Sequence, residues 1–299
     1  MGGKFSRSWE LTKQSWSVLR ADKALVLFPL ISSVALIAVM ATYAIPVFLV
    51  LQDSGVFADG AARASHHDPE LTNGTKAMLA FIGFAYYFCT FTVMNFFNVA
   101  LIGAAMERFN GRETGVGVGI SIAVRRIPQI LLWSLVAATV GMILKAIEER
   151  AGLIGKIVIA IVGMAWAIAS FFVVPVLAVE GVGPFEALKR SVAVLKKTWG
   201  EAALTRIGVN AVFSLAVLLV LLLTVAGSIA VGVGLGSPIL AAVISVVGFL
   251  VILGLSLIST TLQTILQAAL YRYAADDVVP AGFSGSTLRG MFEPKKAKR

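Results

Sequence analysis

Charge is what this chain has least of. Asp, Glu, Lys and Arg make up 14% of its 299 residues, against about 25% in ordinary soluble domains. So few charges cannot keep a surface hydrated over most of its area, which excludes a conventional water-soluble globule. Cysteine occurs once, at Cys89 inside an apolar stretch, so an intrachain disulfide and a cysteine metal cluster are both excluded. Histidine occurs only as the adjacent pair His66 and His67 in HHDPE, which matches no usual metal-ligand spacing. HExxH, GxSxG and the P-loop are all missing. The GVGVG run at Gly115 to Gly119 has no βαβ unit around it to make a dinucleotide loop. No enzyme chemistry, metal or cofactor is expected.

Apolar sequence is what remains: 58% of the residues are hydrophobic and the mean hydropathy is +0.90. Six runs, at roughly 24–51, 77–106, 127–147, 153–179, 204–233 and 238–274, reach the ~20 residues needed to cross a bilayer as a helix. Each such segment must satisfy its own backbone hydrogen bonds, and no alternating barrel strands are seen, so the fold class is an all-α polytopic membrane protein with six transmembrane helices. The third run is short and interrupted by Lys145, and the sixth is longer than a bilayer requires.

The basic residues orient these spans. Residues 1–23, the 107–126 and 180–206 loops and the C-terminal tail hold 20 of the 25 Lys and Arg, and the intervening segments hold five. Cytoplasmic loops carry the excess of positive charge, so both termini are predicted inside, in a cell (inner) membrane. With acids included, the inner side carries a formal +10 and the outer side −1. The net charge of +9 is thus a topology signal. Four separated basic segments do not make the continuous face that nucleic acid requires. The organisation read from this is a lead-in helix over 1–23, a membrane domain over 24–275 with an interfacial helix at 180–203, and a basic, unstructured tail over 276–299.

One basic segment occurs twice, as RSWELTKQSW at Arg7 to Trp16 and RSVAVLKKTW at Arg190 to Trp199. On a helix, Phe5, Trp9, Thr12, Trp16 and Leu19 form one stripe, and Leu188, Val192, Leu195 and Trp199 another. Tryptophan sits at the headgroup level while Lys and Arg reach phosphates. Both copies therefore read as amphipathic helices on the inner leaflet, anchored by Trp9, Lys13, Trp16, Arg190, Lys196 and Trp199. A weaker echo, AVRR at Ala123 to Arg126 against ALKR at Ala187 to Arg190, suggests three units of one lead-in and two spans. Chance convergence of interfacial helices on Trp and Lys explains the same matches.

Family resemblance enters at these residues. KFSRSWELTKQSW followed by LRADKALVLFPLI, then FNVALIGAAMERFNG at Phe97 to Gly111 and ALYRYA at Ala269 to Ala274, resembles a family of prokaryotic six-span membrane proteins that has the status of a domain of unknown function. ALKRSVAVLKKTW is more loosely similar to membrane domains attached to some glycerophosphodiester phosphodiesterases, without their catalytic domain. The resemblance implies a fold and a compartment and transfers no active-site residue.

Candidate site residues come from the polar groups inside the spans. Ser256, Thr260, Gln263 and Gln267 are spaced to share one face of the sixth span. Asn95 and Asn98 share a face of the second, and Asn210 lies in the inner half of the fifth. Polar side chains avoid hydrocarbon and should converge within the bundle. Two readings follow: helix-to-helix hydrogen bonds, or a polar cleft open to the cytoplasmic leaflet that takes a lipid headgroup or small solute. Glu107, Glu180 and the pair Asp276–Asp277 recur at the inner span ends, poised to pair with the basic segments. Ser228, Gly232 and Gly236 repeat every fourth residue, a close-packing pattern that reads as an internal contact. Pro29, Pro46 and Pro175 each leave a backbone carbonyl for a neighbour to satisfy, Pro175 as a kink or hinge.

The function these features favour is a non-enzymatic accessory or scaffolding membrane subunit that meets membrane lipids or a partner protein complex. The alternative is a carrier for a lipid or amphipathic small molecule. The orientation has a direct test: a cysteine placed at Ser65 is expected to react with an impermeant maleimide from outside the cell, and labelling only from the cytoplasm would contradict it.

Overall fold

A computed structural model describes residues 3–53, 72–112, 114–197, 201–234 and 236–292, with the side chains of 3–9, 53, 201–212 and 289–292 outside that description. The helices are α1 (Gly3–Ala21), α2 (Leu27–Asp53), α3 (Asn73–Phe109), α4 (Val116–Arg125), α5 (Ile127–Arg150), α6 (Leu153–Ala169), α7 (Val173–Val179), α8 (Pro184–Lys197), α9 (Glu201–Ile229), α10 (Pro238–Asp276) and α11 (Gly285–Phe292). A 3₁₀ turn at Lys23–Val26 enters α2, and a π-helical turn at Ala230–Gly234 closes α9. Among the described residues there are no strands.

All six apolar runs are found as helices long and apolar enough to cross a membrane, α6 and α7 together supplying the fourth. The sixth, α10, has 39 residues, about 58 Å at 1.5 Å per residue, well beyond the ~30 Å of a bilayer core. In element order, each of α1, α4 and α8 precedes two long segments.

Burial is concentrated at the basic end of the bundle. The core joins Val99–Met106 of α3, Leu262–Tyr271 of α10 and Val173–Ala178 of α7, with Leu11, Val18 and Leu19 of α1 and Phe28 of α2. Small residues let these backbones approach: Ala100, Gly103, Ala104 and Ala105 on α3, Ala268 and Ala269 on α10. Gly119 of α4 is held so closely that an added Cβ would strike the Phe28 ring and the Ala100 carbonyl. Towards the opposite end the helices expose large apolar side chains, among them Ile37, Phe48, Ile154, Leu222 and Val243. Three neighbouring pairs carry a small polar link. Tyr43 Oη lies 3.2 Å from Cys89 Sγ between α2 and α3, Asn95 Nδ2 donates to Ser134 Oγ at 3.0 Å between α3 and α5, and Ser228 and Ser245 hydroxyls meet at 2.9 Å between α9 and α10. Gly232 likewise faces Ala241 of α10, so the Ser228–Gly232 pattern makes an internal contact.

Three expectations are refined. The fourth span is interrupted at Ser170–Phe172 rather than running through. The tail is ordered as far as Phe292: Leu288 is fully buried, Phe283 meets Phe109 edge-on at 5.9 Å, and Gln14 of α1 accepts from the Ser284 N–H at 3.2 Å. Enough apolar and capping contact is made there to hold a helix that composition alone reads as loop. The amphipathic stripes are also rotated in part: Leu19 is buried as expected on α1, but the residues it joins in the core lie to one side of each stripe. Leu11, Ser15 and Val18 are buried on α1, and Ala187, Ser191 and Val194 on α8, leaving Trp16, Leu188, Val192 and Leu195 at the margin.

Gly119→Ala is expected to destabilise the protein by about 1–3 kcal/mol, since backbone has to move to admit the methyl group. Gly117→Ala, where nothing stands within 4 Å, should be neutral. Thermal unfolding of the detergent-solubilised variants checks both, and equal behaviour would contradict the close α3–α4 packing.

Candidate functional site: the interrupted fourth span and the basic end

Proline at position 175 sets the local chemistry. It has no N–H to give to the carbonyl four residues earlier, and its ring crowds that carbonyl. The carbonyl in question belongs to Phe171, at the break between α6 and α7. Gln267 Nε2, reaching across from α10, donates to it. Ser191 of α8 serves both sides of the same break: its hydroxyl donates to the Ala169 carbonyl at 2.6 Å and accepts from the Phe172 N–H at 3.0 Å. Ser170 Oγ donates to the Trp166 carbonyl at 2.8 Å. A buried carbonyl or N–H left unmet costs about 1–3 kcal/mol, so these side chains are what allows a fully buried Phe172 to sit at an irregular point in the chain.

The other polar residues of the spans have separate placements. Gln263 Nε2 donates to Ser259 Oγ at 2.9 Å within α10, and Ser256 Oγ donates to its own helix at Ile252 O, 2.8 Å away. Thr260 is exposed, and with Ser256, Ser259 and Phe213 it lines an open groove of about 430 Å³ between α9 and α10. Asn95 is buried against Ser134, and Asn98 is half-buried on α3. The Asn210 side chain lies outside the described residues. Gln267 and Asn95 thus answer two different neighbours, the α6–α7 break and α5.

Below the break, charged groups fix the turn that joins α7 to α8. Glu180 accepts from Tyr271 Oη at 2.5 Å and pairs with Arg190, which also holds Glu186 at 3.1 Å. Arg126 Nη2 donates to the Val179 carbonyl at 3.2 Å, and Gln129 Nε2 to the Gly181 carbonyl at 3.1 Å. Gly181 has φ +65° with the Arg126 guanidinium lying against it, where any side chain would collide. The acids at the other span ends are paired as well, Glu107 with Arg112 at 2.9 Å and Asp276 with Arg272 at 3.9 Å. Asp22 caps the 3₁₀ turn by accepting from Ala24 N at 3.1 Å, and Thr114 donates to its other oxygen. Beside Tyr271 a cavity of about 360 Å³ opens between α3, α4, α7 and α10, with Arg125, Arg126 and Arg272 on its wall.

Of the interfacial anchors, Lys13, Lys196 and Arg190 are exposed, and Trp16 is 36% exposed with the Arg20 guanidinium 5.4 Å above its ring. The Trp9 side chain and Trp199 lie outside the described residues, as do His66 and His67. Among the described residues, no group of three or more metal-ligating side chains comes together.

The Ser191 bridge and the Tyr271–Glu180 contact were not read from the sequence. One signal for the Gln267 bond was available: Phe171 lies nine residues before Glu180, and Gln267 nine before Asp276. The two acids end neighbouring spans, which places carbonyl and amide at one depth.

Gln267→Leu is expected to cost about 1–3 kcal/mol by removing the donor to the Phe171 carbonyl. Paired with Pro175→Ala, which restores a backbone donor, the loss should shrink. Unfolding of the single and double variants in detergent measures that coupling, and additive effects would contradict the bond.

No curated protein and no solved structure matches this chain. A family model described as "Family of unknown function (DUF6159)" matches residues 77–283. That range takes in FNVALIGAAMERFNG and ALYRYA, the interrupted span, Ser191 and the basic cavity, so the chain belongs to the DUF6159 family of unknown function.

Proposed function

We propose that this chain is a non-enzymatic, multi-pass protein of a prokaryotic cell membrane, with both termini cytoplasmic, that serves as an accessory or scaffolding subunit in contact with lipid and a partner complex. The observation that carries the reading is where the polar stripe goes. Gln267 answers the carbonyl that Pro175 cannot bond, Asn95 bonds Ser134 of α5, and Gln263 bonds Ser259 of its own helix. A carrier would keep such groups for its cargo, whereas a scaffold uses them to hold its helices together. The charge split supports the orientation. The exposed faces of α1 and α8, with Lys13, Arg20, Lys189, Lys196 and Lys197, suit the inner leaflet, and their shared pattern favours descent of the three helix groups from a repeated unit.

One observation favours the carrier reading: the groove of about 430 Å³ between α9 and α10 brings Ser256, Ser259 and Thr260 to its wall. Such a groove would let a lipid headgroup slide along an otherwise apolar surface.

Reconstitution separates the two. The purified chain in vesicles is expected not to accelerate transbilayer movement of a labelled phospholipid, and gentle extraction from the native membrane should recover a second polypeptide at fixed ratio. Faster lipid movement that slows on Thr260→Leu would replace the scaffold with the carrier.

A further inference from the structure

We infer that the cavity at the basic end binds a phosphate-bearing anion, either the phosphodiester of a lipid headgroup or free phosphate. Arg125 closes α4, Arg126 lies in the turn that follows, and Arg272 comes from α10, so three elements bring guanidinium groups to one cavity of about 360 Å³. Two carboxylates share the wall. Glu107 is already engaged by Arg112, which is not among the lining residues, at 2.9 Å. Asp276 stands 3.9 Å from Arg272 Nε, beyond hydrogen-bond reach, and that buried nitrogen makes no hydrogen bond among the described residues. The local balance is therefore positive. Planar guanidinium groups are matched to the paired oxygens of a phosphate.

The rest of the wall tells what carries that phosphate. Met106, Ile122 and Val179 add apolar side chains to the lining, and Val179, Val124 and Ile127 are exposed. A diacylglycerol phosphate entering here keeps its phosphate on the arginines and its chains along that apolar margin. Basic pockets between helices at the cytoplasmic side suit anionic headgroups in this way. The lipid source rests on the membrane reading above, the anion site on the arginines alone, and neither depends on the scaffolding role.

The test uses the full chain and two probes. In nanodiscs of neutral lipid doped with phosphatidylglycerol, native mass spectrometry is expected to find one phosphatidylglycerol retained per chain. Arg125→Gln and Arg272→Gln should each weaken that retention by about tenfold, the loss of one charge-assisted contact. Lys76→Gln and Lys156→Gln, which remove equal charge from exposed positions on α3 and α6, should leave it unchanged. Calorimetric titration of the delipidated chain with inorganic phosphate then identifies the source. Binding that is lost in the same two variants assigns free phosphate, and binding of the lipid alone assigns the headgroup. Retention of neither probe, or equal losses in the cavity and control variants, overturns the site. Arg125 is exposed, so its variant keeps the test valid even if Arg272→Gln fails to fold.

Discussion

A bilayer offers no water to a backbone carbonyl, and proline offers no N–H. Pro175 in the fourth apolar segment brings those two constraints together, and the Gln267 amide answers them at the Phe171 carbonyl. Much of the architecture at the basic end follows. The chain can break at Ser170–Phe172 only because α10 and α8 both reach the break, Gln267 from one and Ser191 from the other. The break in turn lets α7 turn most of its short length inward, with Val173, Pro175, Val176, Leu177 and Ala178 all buried, as a wedge against the small-residue face of α3. The two ends of the bundle differ for the same reason. One is a packed protein core, and the other is a set of apolar helices joined by single polar links such as Tyr43–Cys89 and Ser228–Ser245.

The duplicated basic decamer gains a second meaning in three dimensions. Lys13, Arg190, Lys196 and Lys197 are exposed, as an interfacial helix requires. Yet Leu11 and the aligned Val194 are both buried, followed in each copy by a half-buried residue and an exposed lysine, Lys13 and Lys196. Both helices therefore pack on the bundle as well as presenting charge. Arg190 links the two roles through Glu180 and Glu186, which ties α8 to the end of α7 and, through Tyr271, to α10. A helix so fixed is coupled to the packed core, as the proposed scaffolding role requires.

Much of the fold was legible because its signals are local. Apolar run length located six spans, and the basic residues sorted into alternating segments. Small-residue spacing at Ser228 and Gly232 pointed to a helix contact that is present. The break in the fourth span was half legible: Pro175 announced a disturbance, but the place where the chain yields depends on which neighbours can supply donors, and those lie 20 and 96 residues away, at Ser191 and Gln267. α11 was missed because its stability is tertiary, resting on Leu288, Phe283 and Gln14. The polar face of the sixth span was read as one feature, since a helical wheel carries no depth. Its members in fact pass from the exposed groove at Ser256 and Thr260 to the buried break at Gln267. The basic cavity could not be read at all, because Arg125 and Arg272 are 147 residues apart and separately look like topology signals.

The proposed scaffold requires that the inner polar residues of α10 face protein rather than an aqueous cleft. Single cysteines at positions 260, 263 and 264 in a Cys89→Ala chain, reconstituted in lipid, test it most directly through their reaction with a small, membrane-impermeant thiol reagent. The account expects positions 263 and 264 to stay unmodified from both sides of the membrane. Rapid modification of position 263 from the cytoplasmic side would contradict it and reveal an aqueous cleft.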